Sequence, residues 1–159
     1  MTIRRLEASD SPRVIELCAE HAAYERSAYE PNEKVERLRA AVRDSILLGW
    51  VAVRDEEIVA YATATIDFST WNAAAFMHLD CLFVRDAHRG GGLGRRLLEA
   101  VIHEARSRGI DELQWQTPRW NVAADRFYRR IGAVAREKLR YHLNVHEVSP
   151  AMQVSTSSR

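Results

Sequence analysis

The densest concentration of residues able to bind or transform a ligand lies between Arg85 and Arg96. Arg85, His88, Arg89, Arg95 and Arg96 surround Gly90, Gly91, Gly92 and Gly94, and an apolar stripe at helical spacing follows. Such a segment suits an anion. The first backbone N–H groups of a helix lack internal partners and sit at the positive end of its dipole. Glycines admit an anion without a Cβ in the way. A small phosphate-bearing ligand is therefore the predicted occupant.

Three phosphate loops compete for this segment. A P-loop requires Gly-Lys-Ser/Thr, but Gly94 is followed by Arg95 and Arg96. A dinucleotide fingerprint requires a third glycine, and the two registers place Leu97 or Arg95 there. The spacing Arg-x-x-Gly-x-Gly fits Arg89-Gly90-Gly91-Gly92-Leu93-Gly94. A glycine turn without a ligand is the plain alternative, since glycine clusters are common in turns. A second candidate is Asp80, a carboxylate in the apolar run 76–84, where burial would demand a partner.

The elements that must position these groups follow from periodicity. Residues 2–6 predict a strand. Asp10-Ser11-Pro12 opens a helix carrying Val14, Ile15, Leu17, Cys18, His21 and Ala22, and Asn32 caps a second helix. Residues 50–53 and 58–68 predict a hairpin around Asp55-Glu56-Glu57. A strand over 76–84 leads into the glycine loop, then a helix stopped by Gly109, a strand over 112–117, a helix over 121–131, and one or two closing strands over 134–145. The expected fold is α/β, a mixed sheet with helices on both faces. One domain over residues 1–148 and a flexible polar tail over 149–159 are expected.

The second half carries more than the loop. His78-Leu79-Asp80-Cys81-Leu82-Phe83-Val84, the loop itself, and Asn121-Val122-Ala123-Ala124-Asp125-Arg126-Phe127-Tyr128, ending in Gly132-Ala133, together resemble the GNAT superfamily of N-acetyltransferases. Phe68-Ser69-Thr70-Trp71 and Tyr24-Glu25 extend the resemblance to the diamine (spermidine/spermine) acetyltransferase branch and its bacterial relatives. The resemblance spans residues 3–141. It implies a mostly antiparallel sheet splayed between the fourth and fifth strands, where acetyl-CoA inserts. Leu82, Phe83 and Val84 would meet the pantetheine and the acetyl carbonyl. Arg89, Gly90, Gly91, Gly92, Leu93, Gly94 and Arg95 would hold the pyrophosphate, and Asn121, Ala123 and Ala124 the cofactor arm.

The resemblance further implies catalysis by Tyr128 and Asp80. A tyrosine of pKa about 10 can protonate a thiolate whose acid has pKa about 8.5 at a cost of roughly 2 kcal/mol, which makes Tyr128 a credible general acid. An amine near pKa 10.4 lies about 6 units above a carboxylate. Asp80 and Glu25 are therefore expected to bind the ammonium while water carries its proton away. Tyr24, Gln114, Trp115 and Gln116 complete the expected acceptor side. The polyamine enzymes carry Glu-Asp where this chain has Asp80-Cys81. One carboxylate fewer points to an acceptor less cationic than spermine.

Bulk properties narrow the remaining classes. The 159 residues carry a formal net charge of +1 and are 47% hydrophobic. That balance speaks against a nucleic-acid partner. No apolar stretch reaches membrane-spanning length. Two distant cysteines, Cys18 and Cys81, give neither a disulfide framework nor a metal signature, so a cytoplasmic setting and no metal are expected. The predicted function is transfer of an acetyl group to a primary amine of a small molecule, by a homodimer. A protein-lysine acetyltransferase and a non-catalytic acetyl-CoA-binding module are the alternatives.

Overall fold

The structure is a computed structural model that describes residues 1–146. The order is β1 (Thr2–Arg5), a 3-10 turn (Ala8–Asp10), α1 (Ser11–Tyr24), α2 (Lys34–Arg43), β2 (Leu48–Arg54), β3 (Glu57–Ser69), β4 (Ala74–Val84), a second 3-10 turn (Asp86–His88), α3 (Leu93–Ser107), β5 (Leu113–Gln114) and α4 (Val122–Arg130). The sheet runs β1-β2-β3-β4-β5, antiparallel throughout except that β5 is parallel to β4. The chain divides into two compact units, Met1–Pro118 and a second beginning at Arg119.

In the first unit, local chemistry explains most boundaries. Asp55 and Glu56 both take positive φ (49° and 66°), the backbone that a two-residue turn between antiparallel strands requires. Pro12 opens α1, and the Asp10 carboxylate before it accepts from the Glu7 N–H at 2.9 Å and from Arg4 at 2.7 and 2.8 Å. The second helix starts later than Asn32 predicted. Its N-cap is Glu33, because Asn32 itself sits at φ 22°.

The sheet is covered on both faces. On one, Val14 and Leu17 of α1 join Leu6, Val51, Ile58, Tyr61 and Phe83, with Leu38 and Val42 of α2 packed against them. On the other, α3 crosses β2, β3 and β4. Its stripe Leu93, Leu97, Leu98, Val101 and Ala105 is buried. The alternation of a strand places Ala60, Ala62 and Ala64 of β3 on that same face, where small side chains let the helix approach. Each fully buried leucine contributes about 2 kcal/mol.

The pairing between β4 and β5 covers only Met77↔Leu113 and His78↔Gln114. From Leu79 to Val84 the outer edge of β4 has no strand partner among the described residues. The strand expected over 112–117 is thus cut to two residues. The cause lies in β4, which carries an extra residue at this point. Thr63 pairs with Cys81 but Ala64 with Leu79, leaving Asp80 unopposed. Such a bulge bends its strand and sharpens the local twist, which carries the edge of β4 away from β5. The splay expected between the fourth and fifth strands is this divergence.

In the second unit, α4 ends at Arg130 with Ile131 as its C-cap, and Gly132 takes φ 93°. The closing strands expected over 134–145 are not formed. Leu139, Tyr141, Leu143 and Val145 alternate as a strand would, yet all four are exposed and the segment has no ladder partner among the described residues. The tail expected over 149–159 lies outside the described residues.

Candidate functional site

The bulge determines what surrounds Asp80. Without it, alternation would send Asp80 and Cys81 to opposite faces. With it, the Thr63 hydroxyl donates to Oδ2 of Asp80 at 3.5 Å and the Cys81 thiol approaches the same oxygen at 3.6 Å. Asp80 is exposed, which corrects the expectation that a carboxylate in this run would be buried. A solvated, weakly bonded carboxylate keeps the capacity to receive a cation.

Behind Asp80 lies a cluster that residue spacing did not reveal. The hydroxyl of buried Tyr61 is 3.3 Å from the Cys18 thiol and 3.1 Å from Nδ1 of His21. The His21 ring stacks on Phe83, centroids 4.9 Å apart, and its Nε2 lies 3.5 Å from Oε1 of Glu25. Burial dominates the acidities here. It holds the Tyr61 phenol well above its ordinary pKa and raises that of Cys18. Burial first, and the Asp80 carboxylate next, push the Cys81 thiol up to about 12. Burial lowers the pKa of His21, with Glu25 opposing. Cys81 therefore stays protonated at neutral pH, the state opposite to that of a nucleophilic acyl carrier. The site could have been sought through His21, which already lay in the α1 stripe. Tyr61 gave no sequence signal beyond a strand aromatic.

Tyr24 ends α1 and Glu25 is its C-cap, and the Arg89 guanidinium ties Tyr24 to β4. It lies 4.3 Å above the Tyr24 ring and 5.7 Å from the Phe83 ring centre, and its Nε donates to the Val84 carbonyl at 2.9 Å. Arg89 thus ties the end of β4 to α1, in addition to adding positive charge beside the glycines. Leu82, Phe83 and Val84 occupy the part of β4 whose outer edge has no strand partner among the described residues. An unpaired strand edge presents N–H and C=O groups to a ligand's amides.

Gly90 and Gly92 take φ 80° and 76°, conformations that favour glycine. Gly92 is the N-cap of α3, and among the described residues no side chain caps this end. A Cβ placed on Gly90, Gly91 or Gly92 would meet nothing within 4 Å, so the space over the loop is open. Leu93 is buried beneath it, while Arg95 pairs with Glu99 at 2.8 Å. Open space above the uncapped start of a 15-residue helix suits a pyrophosphate. Gln114 lies in β5 and donates to Glu112 at 2.9 Å; Trp115 and Gln116 follow beyond the strand's end.

In the second unit, Asn121 is buried and caps α4, accepting from the Ala124 N–H at 3.2 Å. Ala123 and Ala124 form the first turn, and Tyr128, half-buried, lies with its ring 5.2 Å from Phe127. The capping bond gives Asn121 a structural task whatever else it contacts. Among the described residues no group of three or more His, Cys, Asp or Glu could hold a metal ion.

Residues 13–133 match the Acetyltransferase (GNAT) family. The chain belongs to the GNAT acetyltransferase family. Its members use acetyl-CoA as acyl donor, and this chain is an N-acetyltransferase by that membership. It is 27% identical to a thialysine N-epsilon-acetyltransferase of Caenorhabditis elegans over 122 residues, 77% of this chain and 76% of that protein. It is 27% identical to an L-ornithine N5-acetyltransferase of Arabidopsis thaliana over 81 residues, 51% of this chain and 36% of that protein. Among solved structures, the tetramutant of the BH1408 protein from Bacillus halodurans superposes with a TM-score of 0.76 at 26% identity, over 91% of this chain and 100% of that one. The mixed five-stranded sheet and its helices are those of this GNAT fold.

Proposed function

We propose that the chain acetylates a primary amine of a small molecule, a short diamine or an amino acid-like amine. The observation that carries this reading is the β4 bulge. It sets one solvated carboxylate, Asp80, and the Thr63 hydroxyl beside the unpaired edge of β4, with a protonated thiol at Cys81 in place of a second carboxylate. One anionic group suits one ammonium. The relatives named for thialysine and ornithine support the same class, since both compounds are amino acids with a terminal side-chain amine.

In this reading the pyrophosphate of acetyl-CoA lies on Gly90–Gly94 and the pantetheine pairs with Leu82–Val84. Backbone N–H groups at that edge stabilise the oxyanion formed when the amine attacks the thioester. Asn121, Ala123 and Ala124 meet the cofactor arm, and Tyr128 returns a proton to the departing thiolate. The family resemblance supports a homodimer, and the two distant cysteines support a cytoplasmic setting; sedimentation and fractionation would test them.

The experiment is a steady-state panel with acetyl-CoA, reading thiol release against thialysine, ornithine, putrescine, spermidine, spermine and a lysine-containing peptide. Highest kcat/KM for a short diamine or an amino acid is expected. Preference for spermine or for the peptide overturns the assignment, and no turnover with any acceptor favours a binding module.

A further inference from the structure

A line of polar side chains runs through the apolar packing between α1 and the sheet. Tyr61 sits in that packing, and its hydroxyl touches Cys18 and Nδ1 of His21. Sulfur accepts a hydrogen bond weakly, so the imidazole nitrogen is the strong acceptor for the phenol proton. On the other side of the ring, Nε2 faces Oε1 of Glu25 at 3.5 Å. A carboxylate only accepts, so Nε2 carries the hydrogen and Nδ1 is the bare nitrogen. At the inner end Cys81, the diagonal cross-strand neighbour of Tyr61, packs against the same cluster, and its thiol approaches Asp80 at 3.6 Å. Polar side chains therefore line the way from Asp80 through Cys81, Tyr61 and His21 to Glu25 at the end of α1.

We propose that this line is the exit for the acceptor amine's proton, with His21 as its receiver through Tyr61. The proposal rests on the amine acetylation described above and names the group that replaces a bare water chain. As an ammonium held at Asp80 is deprotonated, one amine N–H bond breaks and the carboxylate takes that proton; Asp80 passes it to the Cys81 sulfur as the thiol gives its own hydrogen to the Tyr61 oxygen. Tyr61 passes its own proton to Nδ1 of His21, and Nε2 releases one to Glu25 and solvent. The amine keeps its lone pair for the thioester, and nothing is oxidised or reduced. His21 acts through Tyr61 and is in that sense a positioning residue.

The electrostatics are compatible with this task. The groups facing His21 are Cys18 and Glu25 of α1, Tyr61 of β3, Asp80 and Cys81 of β4, and Arg89 beyond β4. Burial and Arg89 favour the neutral ring, while Glu25 and Asp80 favour the imidazolium. The neutral ring is the form a proton acceptor needs.

His21→Gln and Tyr61→Phe test the line. Each is assayed with the panel amine that wild type turns over fastest, protonated at neutral pH, and with butyric hydrazide, whose terminal nitrogen is already neutral there. With the alkylamine, kcat should fall about a hundredfold while KM changes less than about threefold. The loss with the hydrazide should be under about fivefold. In His21→Gln the acidic inflection of the kcat/KM profile for the alkylamine should disappear. Tyr61→Phe keeps the ring packing and stands in if His21→Gln does not fold. Equal losses on both acceptors, or an unchanged acidic inflection, overturn the role and leave amine acetylation intact. A wild type inactive on every amine defeats the functional reading and this role with it.

Discussion

Thr63 pairs across the ladder with Cys81, yet its hydroxyl bonds to the neighbouring Asp80, 3.5 Å from Oδ2. The bulge makes this possible, and the contact is long enough for an incoming ammonium to compete with it. Asp80→Asn keeps the shape and removes the charge. The amine KM should rise roughly tenfold, about 1.4 kcal/mol, with acetyl-CoA affinity almost unchanged. Steady-state kinetics in the amine and calorimetry with acetyl-CoA check this. An unchanged amine KM removes Asp80 from the acceptor site.

The loop glycines separate backbone need from ligand space. Gly91 is absent from the positive-φ positions and its Cβ would meet nothing, so Gly91→Ala should fold with Tm within about 3 °C of wild type. If the pyrophosphate lies against this backbone, acetyl-CoA affinity should drop by about tenfold or more. Gly92 sits at φ 76°, so Gly92→Val should lose both stability and affinity. Calorimetry with acetyl-CoA decides, and full affinity in folded Gly91→Ala displaces the ligand from the loop.

Tyr128 occupies α4 with its ring against Phe127, and Tyr128→Phe removes a single hydroxyl. The variant should fold and bind acetyl-CoA as wild type does, and lose turnover by about a hundredfold or more. Rapid-mixing assays under single-turnover conditions measure the chemical step directly. Wild-type rates there assign the thiolate's proton to water.

His21 also links stability to pH. Burial lowers its pKa in the folded chain, while the unfolded chain keeps a value near 6.5. The unfolded state then binds the proton more readily, so stability is full above the unfolded pKa. It declines as pH falls through that value and levels off below the folded one. The difference in unfolding free energy between wild type and His21→Gln, measured by urea titration, should change across this window. The other histidines remain in both proteins and cancel. A difference independent of pH between 5 and 8 contradicts the neutral buried state.

Short-range physics was legible in the sequence. The glycine loop, the α3 stripe, the Asp55-Glu56 turn and the helix beginning near Asn121 each depend on residues a few positions apart, whose chemistry selects one local conformation. The family resemblance rests on the same segments. Even there, the expected start of α2 at Asn32 moved by one cap position because Asn32 took a left-handed backbone.

Tertiary structure alone decided what lies around the acceptor. Whether Asp80 is buried or exposed depends on whether any residue of β3 opposes it, and a one-residue bulge reverses the facing of a side chain without changing the sequence pattern. The contact of His21 with Tyr61 joins residues 40 positions apart, through the packing of α1 on β3. The early end of β5 likewise follows from the bend of its neighbour, since its own alternation of Leu113, Gln114, Trp115 and Gln116 would have carried a longer strand.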